Sequence, residues 1–261
     1  MQQLIISRGG NKGGNRRMNK EKNNNLFSDK VCVITGGASG IGKCIREEFE
    51  KEGAKVYYMD IAPNPCFIGD VGKETDLRNF AKLVVEKEGR VDFLINNAPP
   101  LFKGIESCTY EQFNYALRVG VSSAFLLTQL FLPYFSNEGS IVNISSSREK
   151  MSQPQSESYT AAKGALGALT HALAVSLGGK VRVNSVSPGW IDVEYKVYEG
   201  AGALQQPVKR VGNPMDIANM VLFLCSHKAG FITGENITID GGQSKVMVYH
   251  NDWGWTYKPE S

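Results

Sequence analysis

From residue 30 onward, short runs of β-branched and apolar residues alternate with longer stretches in which apolar positions recur every three or four residues. The runs predict strands at Val31 to Thr35, Lys55 to Ile61, Phe67 to Gly69, Val91 to Asn96, Ser140 to Ser145, Val181 to Ser187 and Asn236 to Asp240. The longer stretches predict helices near 41 to 52, 74 to 89, 109 to 136, 157 to 178 and 214 to 226. Strands joined through helices need right-handed crossovers, and these cover both faces of a parallel sheet. The expected fold is α/β, a doubly wound parallel sheet of about seven strands with helices on both faces. No break is long enough for a second domain, so residues 28–261 are expected to form one.

Two stretches depart from one-sided amphipathicity. The helix from Glu157 to Leu177 is dominated by Ala, Leu and Gly with few charges beyond Lys163, and Ala124 to Phe135 is similarly apolar. A helix apolar nearly all round must be buried on more than one face. Packing both against the same elements of a second copy would bury them, so a homodimer or homotetramer is expected.

Charge is unevenly placed. Residues 1 to 30 carry seven Lys/Arg against two acids, and removing these from the 29 basic and 26 acidic residues leaves 22 and 24, a nearly neutral body. Such a body argues against nucleic-acid binding. Residues 1–27, rich in Asn, Gly, Lys and Arg, are expected to be a disordered basic leader, with Met18 offering a second start. Only Leu4-Ile5-Ile6 could serve as an apolar signal segment, and the longest apolar run, Ala124 to Phe135, is interrupted by Thr128, Gln129 and Pro133. Neither secretion nor a membrane partner is expected. The five cysteines, Cys32, Cys44, Cys66, Cys108 and Cys225, have no Cys-x-x-Cys spacing, and the three histidines are far apart. They read as reduced residues of a cytoplasmic protein with no metal site.

The chemistry concentrates in two places. Tyr159 and Lys163 are four residues apart in an expected helix, so they share a face. A free phenol titrates near pH ~10, and a neighbouring ammonium would lower that value toward the range of a useful acid or base. The first strand runs into Thr35-Gly36-Gly37-Ala38-Ser39-Gly40-Ile41-Gly42, which opens a helix. Glycines there let backbone amides approach a pyrophosphate at the helix N-terminus. Asp60 closes the second strand 18 residues beyond Gly42, where a carboxylate binds both hydroxyls of an adenosine ribose and repels a 2′-phosphate. No Lys or Arg occupies residues 61 to 63. NAD is therefore expected rather than NADP, on a Rossmann-type fold.

With these motifs the chain resembles the short-chain dehydrogenase/reductase family over about residues 28 to 242. The family's glycine motif corresponds to Thr35 to Gly42, and its acidic-hydrophobic adenine pair to Asp70-Val71. Its Asn-Asn-Ala motif is Asn96-Asn97-Ala98, its Pro-Gly motif Pro188-Gly189 with Ile191 following, and its closing Asp-Gly-Gly is Asp240-Gly241-Gly242. The family's serine, 13 residues before the tyrosine, falls at Ser146. The resemblance implies that Tyr159 exchanges a proton with the substrate oxygen, Ser146 holds that oxygen, and Lys163 binds the nicotinamide ribose. It implies cofactor contacts at Gly36, Ser39, Gly40, Ile41, Gly42, Asp60, Asp70, Val71, Asn97, Ala98, Tyr159, Lys163, Pro188, Gly189 and Ile191. The implied substrate is a secondary alcohol, polyol, sugar or the corresponding carbonyl.

Three positions depart from the family pattern. Gly120 replaces the Asn of a water-mediated proton relay, Pro99 replaces a glycine and stiffens the loop with Pro100, and Val193 stands where a Thr is common. These leave open an NAD-binding regulator or scaffold with little catalysis. Reduction of an enoyl thioester is less favoured, because that branch spaces its Tyr and Lys more widely. Arg148 either meets an anionic or hydroxylated substrate group or is a solvated loop charge. The 19 residues beyond Gly242 carry Tyr249, Trp253, Trp255 and Tyr257, too many aromatics to leave in water. This tail is expected to pack on its own active-site rim or on a neighbouring subunit.

Overall fold

Alternate residues of each central strand feed two separate apolar layers, because successive side chains in a strand point to opposite faces. A computed structural model describes residues 25–259. Its strands are β1 (Val31–Thr35), β2 (Lys55–Asp60), β3 (Phe67–Ile68), β4 (Val91–Asn96), β5 (Phe135–Ile144), β6 (Val181–Pro188) and β7 (Asn236–Ile239). All pair in parallel in the order β3-β2-β1-β4-β5-β6-β7. The helices are α1 (Gly40–Lys51), α2 (Glu74–Glu88), α3 (Tyr110–Leu117), α4 (Ser123–Phe131), α5 (Glu157–Ser176), α6 (Gly200–Leu204) and α7 (Pro214–Cys225). Cys32, Ile34, Phe93, Ile95, Val142 and Ile144 pack beneath Ile45 and Phe49 of α1 and Ile217, Val221 and Leu224 of α7. Val31, Val33, Leu94, Ile141 and Val183 pack on the other face with Phe80 and Val84 of α2, Leu127 and Phe131 of α4 and Ala174 of α5.

Helix ends follow local chemistry. Thr109 and Gln112 form a reciprocal capping box at α3, Asn213 and Asp216 do the same at α7 with Pro214 in its first turn, and α2 stops at Gly89 with φ 63°. The stretch Tyr110–Tyr134 is long and apolar enough, by length and composition alone, to cross a membrane. Its Val119, Leu127 and Phe131 are instead buried against the sheet layer.

Three expectations differ from the structure. The single helix expected over 109 to 136 is divided: a π-helical turn, Arg118–Ser122, separates α3 from α4, and a 3-10 turn, Leu132–Tyr134, follows. The π turn surrounds Gly120, where a Cβ would lie 2.8 Å from the Ala162 Cβ and 3.3 Å from the Pro100 ring. Close approach of three elements, which local periodicity does not encode, sets the break. Strand β5 begins at Phe135 rather than Ser140, passing through Glu138 at φ 69°. Buried Asp92 holds that start: its carboxylate accepts hydrogen bonds from Ser136 Oγ at 2.7 Å and from the Val31 amide at 2.9 Å. The expected leader lies outside the described residues up to 24, but Phe27 belongs to the fold. Its ring packs 4.8 Å from Phe49 and 5.1 Å from Phe93.

Candidate active site

The strand order reverses between β1 and β4, and at their C-terminal ends opens a cavity of about 710 Å³. In a doubly wound sheet this crevice is where the topology leaves room for a ligand. Every residue expected from the resemblance to act in catalysis or to contact the cofactor lines it, except Gly42; Arg148, read either as a substrate contact or as a loop charge, is not among its lining residues.

The crevice is clipped together by side-chain bonds across the switch point. Thr35 Oγ1 accepts the amides of Asn97 at 3.0 Å and Ala98 at 3.2 Å, while Asn97 Nδ2 donates to the carbonyls of Thr35 at 3.1 Å and Gly36 at 2.9 Å. Gly36 has φ 70°, and a Cβ on it would lie 2.9 Å from Asn97 Nδ2 and 3.0 Å from the Ala98 Cα. Gly42 lies beneath the loop, with the Gly36 carbonyl occupying the place of a Cβ. Its glycine therefore serves close packing of α1 on the loop. Ser39 caps α1 without a side-chain bond to its first turn, so those amides keep their donors. This backbone cradle fits a pyrophosphate. Next to it, the Asp60 carboxylate accepts from the amides of Ala38 and Ala62, each at 3.0 Å, which fixes its orientation. The fit to a dinucleotide continues at Asp70, whose Oδ1 accepts from the Gly72 amide at 2.7 Å and the Tyr115 hydroxyl at 3.1 Å. Tyr115 lines the cavity and was not foreseen; 45 residues of separation hide the pairing.

At the other end, β5 delivers Ser146 and the first turns of α5 deliver Tyr159 and Lys163. Ser146 Oγ caps the short turn that follows by accepting the Arg148 amide at 3.2 Å. Lys163 is 2% exposed, donates from Nζ to the Ile144 carbonyl at 2.6 Å, and lies 5.5 Å from the Tyr159 ring centroid. Burial drives its ammonium down to about 7, only partly offset by the Glu149 carboxylate. Burial likewise raises the Tyr159 phenol above its ordinary value, with the Ser146 hydroxyl and then the Arg148 charge pulling the other way. The expected net lowering of the phenol is thus not found. The Arg148 charge lowers the phenol, but by less than burial raises it.

Sequence reading also missed Phe102, whose ring lies 5.4 Å from Tyr159, and Glu149, whose Oε2 accepts from Ser145 Oγ at 2.8 Å beneath the site. The substitution at Gly120 is explained by packing: Pro100 and Ala162 occupy the space a side chain would need. Val193 lines the cavity beside Gly40. The tail is not on its own active-site rim, since Met247, Tyr249, Trp253, Trp255 and Tyr257 are exposed and none lines the cavity.

Known proteins are similar to this chain in sequence and in fold. A family model described as enoyl-(acyl carrier protein) reductase matches residues 36–244. An uncharacterized oxidoreductase from Thermotoga maritima is 36% identical, covering 86% of this chain and 99% of its own length. The L-fucose dehydrogenase of Bos taurus is 32% identical, covering 83% of this chain and 90% of its own. A solved structure of an apo SCOR enzyme from Clostridium thermocellum superposes with TM-score 0.83 at 42% identity, covering 89% of this chain and all of that one. With the crevice, the glycine cradle and the Ser146, Tyr159 and Lys163 corner in place, these matches settle the assignment: the chain belongs to the short-chain dehydrogenase/reductase family of oxidoreductases.

Proposed function

We propose that the protein is an NAD-dependent dehydrogenase of a secondary alcohol, polyol or sugar, or of the corresponding carbonyl, with Tyr159 as the acid-base group. The observation that carries this reading is the convergence of Ser146, Tyr159 and Lys163 on one wall of the cavity whose opposite end holds the glycine cradle and Asp60. When bound, the cofactor supplies a nicotinamide ring that accepts or returns a hydride. Gly36, Ser39, Gly40, Ile41 and the tightly packed Gly42 form the pyrophosphate cradle. Asp60 takes the adenosine ribose hydroxyls, and Asp70 and Val71 flank the adenine. Asn97 and Ala98 form the floor, and Pro188, Gly189 and Ile191 flank the nicotinamide end. The preference for NAD rests on Asp60, an acceptor-only group with Ile61 and Ala62 following it and no cation there to receive a 2′-phosphate.

Ser146 donates a hydrogen bond to the substrate oxygen, and Tyr159 takes the hydroxyl proton in oxidation or returns it in reduction. Lys163 binds the ribose next to the ring. With a pKa near neutrality it can also exchange a proton with Tyr159 through bound water, a role open to few lysines. A relay at Gly120 can use only that residue's backbone carbonyl. Self-association is supported by the apolar surface of α4 and α5, where Phe125 is 49% and Val175 84% exposed. The exposed tail aromatics fit a contact with a neighbouring subunit.

The test is formation of NADH, followed by absorbance, from a panel of polyols, sugars, hydroxy acids and hydroxysteroids. Activity with NAD exceeding that with NADP supports the reading. A protein that binds NAD tightly and oxidises no member of the panel is instead an NAD-binding regulator or scaffold.

A further inference from the structure

We infer that Arg148 is the anion-binding arm of the substrate site, and that the substrate is a hydroxy acid or sugar acid whose carboxylate lies a few bonds from the oxidised carbon. This rests on the dehydrogenase reading for the position of the reacting carbon and goes beyond it in naming the substrate's charge.

Arg148 follows Ser146 by two residues, and its backbone amide is already bonded to the Ser146 hydroxyl. Its guanidinium lies over the Phe102 ring at 5.0 Å, and that ring in turn lies 5.4 Å from Tyr159. Stacking on an aromatic face engages the flat side of the guanidinium, so its forked donors lie at the edge of the plane. One arm, Nη2, donates to the Gln153 side-chain oxygen, a neutral partner on an exposed loop. The other, Nη1, is buried and has no hydrogen-bond partner among the described residues.

No carboxylate of the described residues reaches Arg148 within ion-pair distance, although an acid is its immediate neighbour in sequence. Glu149 turns the other way. Its Oε2 accepts from Ser145 Oγ at 2.8 Å, it pairs with Lys150 at 3.9 Å, and it packs where Gly167 leaves room. The arginine is thus a partly buried cation beside the reacting corner, held by an aromatic ring and a displaceable amide, with an orphaned donor. Leaving such a donor unpaired is costly, whereas a carboxylate received in bidentate fashion satisfies it and neutralises the charge. A neutral sugar hydroxyl could accept one hydrogen bond but would leave the charge uncompensated. A single guanidinium also suits a monoanion better than a phosphate ester, since the nearby Lys150 is engaged with Glu149.

The test uses the NAD-loaded full chain and compounds matched except for charge: 3-hydroxybutyrate against 3-hydroxybutyramide, and gluconate against gluconamide. Calorimetric binding and initial rates of NADH formation are measured for each pair. The carboxylate member of at least one pair should bind about tenfold or more tightly than its neutral partner, the scale of one charge-assisted bidentate contact. In Arg148→Gln that preference should vanish, the loss being carried by KM while NAD affinity is retained, and Arg148→Lys should restore part of it. Equal binding within both pairs, binding by no carboxylate of the set, or a preference that survives in Arg148→Gln overturns the inference. The wild-type comparison stands even if a variant folds poorly. Carboxylate binding without NADH formation would sink the dehydrogenase reading alone, and NADH formation from the neutral members alone would sink the anion arm alone.

Discussion

Replacing Lys163 by Met should make the cofactor-free protein more stable near neutral pH while removing its activity. Burial lowers the lysine from 10.5 to about 7 in the folded chain. At about 1.4 kcal/mol per pKa unit, that difference corresponds to roughly 5 kcal/mol by which folding is disfavoured at pH 7 and below. The substitution also removes the 2.6 Å bond from Nζ to the Ile144 carbonyl, and an orphaned buried carbonyl costs about 1 to 3 kcal/mol. The expected net gain is about 2 to 4 kcal/mol near pH 7. The folded-state value lies below the unfolded one, so the penalty is absent above the unfolded pKa, grows as pH falls toward about 7, and is constant below. The advantage of Met should therefore shrink and then reverse as pH rises toward about 10.5, where only the lost hydrogen bond remains. Equilibrium urea unfolding of both proteins across that range measures this directly. A Met variant that is less stable at neutral pH, or a difference that does not change with pH, would refute the reasoning.

Other expectations follow from the same geometry. Changing Asp60 to Ala should weaken NAD and narrow its advantage over NADP in kcat/KM; a wild type that already prefers NADP contradicts the assigned role of the carboxylate. Gly120→Asn should destabilise the fold by about 1 to 3 kcal/mol through collision with Ala162 and Pro100, with partial recovery in the double variant that also carries Ala162→Gly. Unfolding midpoints that are unchanged in the single variant would show that the space is softer than it looks. A chain ending at Lys245 should lose assembly size in light scattering, and an unaltered assembly would remove the tail from the subunit interface.

Much of this architecture is legible in the sequence because parallel strands are short apolar runs and their connecting helices carry strong signals at both ends. Thr109 with Gln112, Asn213 with Pro214, and Gly89 each mark a helix boundary chemically. The glycine loop and Asp60 are legible for a similar reason, since strand, turn and helix are contiguous and the spacing carries the geometry. What remained hidden depends on contacts between distant segments. The π turn at Gly120 answers to Pro100 and Ala162, the early start of β5 to Asp92, and the adenine-side closure to Tyr115 and Asp70. The electrostatics of the catalytic corner were misread for a further reason. Four-residue spacing places Lys163 on the same face as Tyr159 but says nothing of desolvation, which lowers the lysine and raises the phenol.

Proton transfer by Tyr159 is tested most directly by Tyr159→Phe, assayed for NADH formation on a substrate the wild type oxidises and, in parallel, for NAD affinity. The phenylalanine keeps the ring against Phe102 and removes only the hydroxyl. Turnover should fall by about 10²- to 10⁴-fold, the usual contribution of a positioned acid or base, with NAD affinity nearly unchanged. Turnover close to that of the wild type, or cofactor binding lost as severely as activity, would contradict the assignment of Tyr159 as the group that moves the proton.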